Sequence, residues 1–250
     1  MSSAPIPDDA PRGRLRGRRI AVTGAASGIG RSTALLFAQE GASLALLDRD
    51  PGGLKETAQE TGGSAFEVDI TAEDEVAAAA ERAAVELGGI DGVVNAAGIM
   101  FRGLAADVPA ADWRRVLEVN LTGTYVVTRS FLPWLTREAA ASVVNIASGQ
   151  GLLPNSPGYT AYAASKGGIV ALTKALAAEL APRIRVNCIA PGMVDTAMAD
   201  GHRDAAASTY ALQRIADPTE IAASLLFLTS TDASYVTGSV LGVDGGRAFH

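Results

Sequence analysis

The sequence predicts an α/β protein: one domain built on a doubly wound, seven-stranded parallel sheet with helices on both faces. Three observations predict it. Short runs rich in Val, Ile and Leu alternate with alanine-rich stretches of helical period, the β/α rhythm of a parallel sheet. Several strand cores are continuously apolar instead of alternating, as required when both faces of a sheet are covered. Glycine, serine and asparagine cluster where these runs end, at the carboxyl edge where such sheets bind ligands.

In chain order, Arg19–Thr23 reads as the first strand and runs into the glycine turn Thr23-Gly24-Ala25-Ala26-Ser27-Gly28-Ile29-Gly30. Helical spacing follows over Gly30–Glu40, and the apolar run Ser43–Leu47 is the second strand, ending at Asp48. Ala65–Val68 is the third strand, followed by a helix over Glu73–Leu87. Gly92–Asn95 is the fourth, and one long helix is expected over Ala111–Arg137. Ser142–Ile146 is the fifth strand, with Ser148 just beyond it and a helix over Tyr162–Leu180 after that. Arg185–Ala190, a helix over Thr219–Leu228, and Ser239–Val243 complete the set.

Bulk properties narrow the class. Of 250 residues, 48% are hydrophobic and 19% charged, which excludes a disordered chain. No apolar stretch approaches the roughly 20 residues of a membrane span. The single cysteine, Cys188, cannot form an internal disulfide and lies in an apolar run, so it reads as a buried structural thiol in a cytoplasmic, reducing setting. Residues 1–14 read as a flexible, solvated arm ahead of a domain at 15–250. Its prolines and the arginines through Arg19 are followed by no apolar core of a secretory signal. With a net charge of -6 the chain has no general basis for binding nucleic acid.

The glycine turn sits between a strand and a helix, the setting a phosphate-binding turn needs. Glycines let the backbone approach a pyrophosphate, and the helix start offers free N–H groups. Its G-x-x-x-G-x-G spacing departs from G-x-G-x-x-G, and glycine turns also arise from packing alone. Asp48 ends the second strand about 20 residues further on, where an acid binds ribose hydroxyls. A carboxylate there accepts from a 2′-hydroxyl and repels a 2′-phosphate, which favours NAD over NADP. Arg49 beside it pulls the other way, since a guanidinium welcomes phosphate.

Tyr162 and Lys166 are four residues apart in Tyr162-Ala163-Ala164-Ser165-Lys166, so on a helix they share a face. A tyrosine with a pKa near 10 is only about 0.1% ionised at pH 7, and working as a base needs about 4 kcal/mol of phenolate stabilisation. A neighbouring ammonium supplies opposite charge, and Ser148 offers a hydroxyl to a substrate oxygen. A tyrosine and a lysine at this spacing also occur on exposed helix faces without chemistry.

Taken together, the motifs resemble the short-chain dehydrogenase/reductase family over residues 15–246. They are the TGAASGIG turn, Asp69 after the third strand, Asn95-Ala96-Ala97-Gly98 after the fourth and Asn120 in VNLTGTY. Ser148, the YAASK motif, Pro191-Gly192 and the VTGSVLGVDGG ending follow in order. The resemblance implies a Rossmann-type fold, with Tyr162 as general acid/base and Lys166 binding the nicotinamide ribose while lowering the tyrosine pKa. It implies that Ser148 positions the substrate oxygen and that Asn120 anchors a relay water beside Lys166. It further implies cofactor contacts from Gly24, Ser27, Gly28, Ile29, Gly30, Asp48 and Arg49, from Asp69 and Ile70, and from Asn95, Ala96, Ala97 and Gly98. Pro191, Gly192, Val194 and Thr196 follow as contacts at the carboxamide and diphosphate. Two departures are that Ala96 replaces the usual second Asn, and that Ser148 to Tyr162 is one residue longer than common. Tyr159 lies near, but only Tyr162 has a lysine four positions later.

Specificity in this family lies in the loop after the sixth strand, here about Val194 to Asp217, with His202, Arg203 and Tyr210. Gln150, Leu152 and Tyr159 are expected to face the same cleft, with Met100 and Arg102 following the nicotinamide strand. Gln150 and His202 favour a polyol, a sugar or a hydroxy acid. His202 and His250 lack partners at ligand spacing, so no metal site is expected. Family resemblance implies a homotetramer, with Phe131, Trp134 and Leu172 on the pairing helices; burial inside one subunit accounts for them equally. The leading expectation is an NAD-dependent oxidoreductase of a secondary alcohol or ketone. The alternatives are an NADPH-dependent reductase of 3-oxoacyl thioesters and a non-catalytic NAD-binding regulator.

Overall fold

A computed structural model describes residues 13–199 and 210–248. His202, Arg203, His250 and most of the N-terminal arm lie outside the described residues. Seven strands, β1 (Arg19–Thr23), β2 (Ser43–Asp48), β3 (Ser64–Glu67), β4 (Gly92–Asn95), β5 (Ala141–Ile146), β6 (Ile184–Pro191) and β7 (Val240–Val243), form one sheet in the order β3-β2-β1-β4-β5-β6-β7. Every pairing is parallel, and Thr23 lies level with Leu47 on one side and Asn95 on the other. The order reverses between β1 and β4, so their carboxyl ends open the crevice where such a sheet binds ligands.

The helices are α1 (Gly28–Gln39), α2 (Pro51–Thr61), α3 (Glu73–Leu87), α4 (Ala110–Leu117), α5 (Gly123–Leu135), α6 (Gly149–Leu152), α7 (Thr160–Leu180) and α8 (Pro218–Thr229). Strand residues alternate between two cores, as a two-residue period dictates. Ala21, Leu47, Val93 and Val143 face the core formed with α3 and α5, which holds Val76, Ala80 and Phe131. Ile20, Leu46, Val94 and Val144 face the core formed with α1 and α8, which holds Phe37, Ile221 and Leu225. At about 25 cal/mol per Å² of apolar surface removed from water, these layers drive the fold.

The amino edge of the sheet is closed by charge. Arg18 pairs with buried Asp91 and donates to the carbonyl oxygen of Thr229 (2.9 Å) and to Ser142 Oγ (3.1 Å), joining β1, β4, β5 and the end of α8. Gly13 and Arg14, assigned to the arm by sequence, donate backbone N–H groups to Glu40 Oε2 at 2.8 Å, and Leu15 behind them is fully buried.

Some helices differ from expectation. The helix expected over Ala111–Arg137 is two helices joined by a π turn at Glu118–Thr122. Helix α2 was not foreseen, although Asp50 caps it by accepting from Gly52 N (3.0 Å) and Pro51 opens it. Its two glycines and few buried residues hide the helical period. Phe131, for which a subunit interface and burial within one subunit were both open, is fully buried in the core, and the partly buried Trp134 and Leu172 pack against it.

Candidate active site

The turn after β1 is held by positions that accept no side chain. Gly24 has φ +68, and a Cβ there would lie 2.8 Å from Ala97 N, so the turn rests directly on the segment after β4. A Cβ on Gly30 would stand 2.0 Å from the Gly24 carbonyl oxygen. Ser27 occupies the N-cap of α1 without a side-chain capping bond, which leaves the first N–H groups of that helix to a ligand. A Cβ on Gly28 would project to within 3.4 Å of Thr196 Cγ2, across a groove of about 650 Å³. That groove is lined by Gly24, Ser27, Gly28, Ile29 and Gly30, by Asp48, Arg49, Asp69 and Ile70, and by Ala96, Ala97, Gly98 and Thr196.

Asp48 Oδ2 accepts from Ala26 N and Oδ1 from Asp50 N, both at 3.0 Å, so the carboxylate is fixed at the groove wall. It therefore caps its turn and faces the groove at once. Asp69 accepts from Thr71 N (2.9 Å) and Thr71 Oγ1 (2.8 Å), bonds that hold its carboxyl below the usual range. Asn95 is different: its Nδ2 donates to Thr128 Oγ1 (3.0 Å) and Asn145 Oδ1 (2.8 Å). Its side chain thus braces the sheet from inside and does not line the groove. Gly192 packs against Asp244, where a Cβ would come within 3.0 Å of Cα, and Pro191 and Val194 line the second cavity below.

Tyr162, Ser148, Lys166 and Asn120 converge at the carboxyl ends of β4 and β5. Tyr162 and Ser148 line one cavity, and Ser148 Oγ accepts from Gln150 N at 3.2 Å. Lys166 Nζ donates to the Ile146 carbonyl oxygen (2.7 Å) and stands 5.7 Å from the centroid of the Tyr162 ring. Asn120 is wholly buried by the π turn; its Oδ1 accepts from Ile99 N (2.8 Å) and its Nδ2 donates to the Ile99 carbonyl oxygen (2.9 Å) and Ser165 Oγ (3.0 Å). This side chain fixes the strand-end loop opposite Lys166.

Burial governs the ionisation of the pair. It raises the Tyr162 phenol above its ordinary value, and the Ser148 hydroxyl opposes it. Burial also lowers the Lys166 ammonium to about 8, with Cys188 opposing. The sequence led us to expect a phenol lowered by its lysine; here the ammonium is directed to Ile146 and desolvation dominates instead. Cys188 is fully buried and its thiol is pushed up to about 11, an inert group.

A smaller cleft of about 140 Å³ adjoins the groove and shares Ile29, Met100, Thr196 and Met198 with it. Ser148, Gln150, Tyr159, Tyr162, Arg102 and Tyr210 line it as expected, whereas Leu152 packs elsewhere against Ile169 and its neighbours. The Tyr159 ring lies 6.3 Å from that of Tyr162 and is covered by the Arg102 guanidinium at 4.5 Å. The Tyr210 hydroxyl accepts from Met193 N at 3.0 Å. Arg247, Met193 and Met198 also line the cleft and were missed. Arg247 follows the VDGG ending, and a lone cation just past the last strand was the available signal.

Fold and site together define an oxidoreductase that works with a nicotinamide dinucleotide. A family model described as enoyl-(acyl carrier protein) reductase matches residues 24–248. The chain belongs to the short-chain dehydrogenase/reductase family. It is 42% identical over 243 residues to a 3-oxoacyl-(acyl-carrier-protein) reductase of Thermotoga maritima, covering 93% of this chain and 98% of the relative. It is also 42% identical over 245 residues to galactitol 2-dehydrogenase (L-tagatose-forming) of Cereibacter sphaeroides, covering 93% and 96%. The fold superposes on a 3-ketoacyl-(acyl-carrier-protein) reductase of Brucella melitensis complexed with NADH, with a TM-score of 0.91, 35% identity, and 94% and 100% of the two chains covered. Among the described residues no helix is long and apolar enough to cross a membrane.

Proposed function

We propose that the chain interconverts a secondary alcohol and its ketone with NAD(H), Tyr162 acting as general acid/base. The observation that carries this reading is the shared wall of the two cavities, which puts the Tyr162 phenol and the Ser148 hydroxyl beside the dinucleotide groove. When bound, the nicotinamide supplies the hydride acceptor or donor. In the oxidative direction, Ser148 holds the substrate oxygen and Tyr162 takes its proton; in reduction Tyr162 returns it. Lys166 contributes positive charge beside the phenolate, and Asn120 keeps the Ile99 loop in place. The reading includes a cytoplasmic homotetramer, and Tyr125 on α5, 45% exposed, is a side chain free to meet a second subunit.

The preference for NAD rests on Asp48, whose fixed carboxylate repels a 2′-phosphate. The test is parallel assays of the full chain with NAD⁺ and NADP⁺ against polyols, sugars and hydroxy acids. Turnover is expected in the NAD⁺ wells, and Asp48→Ala should shift the NAD⁺/NADP⁺ ratio of kcat/KM toward NADP⁺ by about 10- to 100-fold, since like-charge juxtaposition costs several kcal/mol. Turnover confined to NADP⁺ would sink this reading. It would favour the second one, a reductase of 3-oxoacyl thioesters, which the Thermotoga maritima relative supports.

A further inference from the structure

Beyond β7 the chain turns back toward the cleft through Asp244, whose Oδ1 accepts from Gly246 N and Oδ2 from Ala248 N, both at 3.0 Å. This turn delivers Arg247 into the cleft wall. Arg247 Nη2 donates to Asn155 Oδ1. Nη1 is buried with no hydrogen-bond partner, and it packs so closely on Gly149 that a Cβ there would stand 2.8 Å from it. Gly149 directly follows Ser148. The next residue, Gln150, buries Oε1 without a partner as well. A buried donor on a cation without a protein acceptor is costly to hold. The Arg247 donor is satisfied by a ligand that offers an anionic acceptor.

Charge points the same way. No acidic side chain lines the cleft among the described residues, and neither Arg247 nor Arg102 is ion-paired. Arg102 is exposed and lies over Tyr159, adding positive potential at the opening. A guanidinium suits a carboxylate because its donors match the planar oxygens. A neutral polyol would leave the cation uncompensated.

We propose that the substrate is a small hydroxy or oxo carboxylate. Its carboxylate is bound by Arg247, and its carbinol or carbonyl oxygen lies at Ser148 and Tyr162. The inference rests on the oxidoreductase reading above and narrows its substrate class.

The test compares lactate and β-hydroxybutyrate with their methyl esters as substrates of the full chain, the ester removing the charge and keeping the skeleton. The expected result is an acid-to-ester ratio of kcat/KM that falls about 10- to 100-fold in Arg247→Gln, the size of a charge-assisted hydrogen bond, and recovers in part in Arg247→Lys. Because each ratio is internal to one preparation, loss of folded protein does not alter it. Esters turned over as well as acids, or a ratio unchanged in Arg247→Gln, would overturn the inference while the oxidoreductase reading stands. If neither acid nor ester reacts, binding of pyruvate and acetoacetate to the protein–NADH complex decides. Binding lost in Arg247→Gln keeps the anion site and removes the turnover reading, whereas no binding removes the anion site.

Discussion

Tyr162→Phe lowers kcat about 10²–10⁴-fold in our expectation, the range for removing a positioned acid/base. The change deletes one oxygen and keeps the ring, so the packing against Tyr159 persists and dinucleotide affinity should hold within a few-fold. The pH profile gives a second readout. Burial raises the phenol above its ordinary value near 10, so at neutral pH the protonated form prevails. Oxidation needs the phenolate and should therefore climb as pH rises from 7; reduction needs the phenol and should stay flat over the same range. Phe at this position should erase the climb. Steady-state rates in both directions, with cofactor titrations, check this. Near-normal turnover in the variant would remove Tyr162 from the chemistry, and a cofactor-binding protein without any turnover to lose would be the regulator considered from sequence.

Lys166→Met should cost more than 10²-fold in turnover and yet stabilise the fold. The lysine is buried, and its value of about 8 against an ordinary 10.5 means that the fold disfavours the ammonium. That difference corresponds to about 3 kcal/mol at neutral pH. Met fills similar space without charge, but it leaves the Ile146 carbonyl oxygen without its donor, a loss of about 1 kcal/mol. A net gain of roughly 1–2 kcal/mol corresponds to a Tm higher by about 2–8 °C for a chain of this size. The sign with pH follows from proton counting. Between about 8 and 10.5 the unfolded chain holds more protons at this site than the native one, so stability from Lys166 rises with pH there. The advantage of the Met variant is therefore full below pH 8 and fades through that window. Cys188 and Tyr162 act oppositely at higher pH, because their values are raised, and comparing variant with parent largely cancels them. Thermal melts from pH 7 to 10 test this; a variant less stable than the parent at pH 7 would refute it.

The sheet was legible because its strands are buried on both faces, so Val93-Val94 and Val143-Val144 announce themselves without alternation. Tyr162 and Lys166 were legible because their relation is local to one helix. The π turn was not: Glu118 to Thr122 differ in no obvious way from helix formers, and the widening reflects Asn120 bonding to Ile99, a contact outside the helix. Arg247 escaped for the same reason, since its partner Asn155 lies 92 residues away in the chain. Spacing gave the proximity of Lys166 to Tyr162 but says nothing of desolvation, which raises the phenol.

The π turn between α4 and α5 also sets which genetic changes this region can absorb. One residue added or removed within a helix turns everything beyond it by about 100°. Losing a single codon between Glu118 and Thr122 is different: it removes the extra residue of the π turn, so the helix runs straight and keeps the phase of Phe131 and Leu135, but Asn120 is withdrawn from Ile99. Diverging descendants of this chain should therefore keep Asn120 and the π turn that seats it, and gain or lose residues in the loops instead.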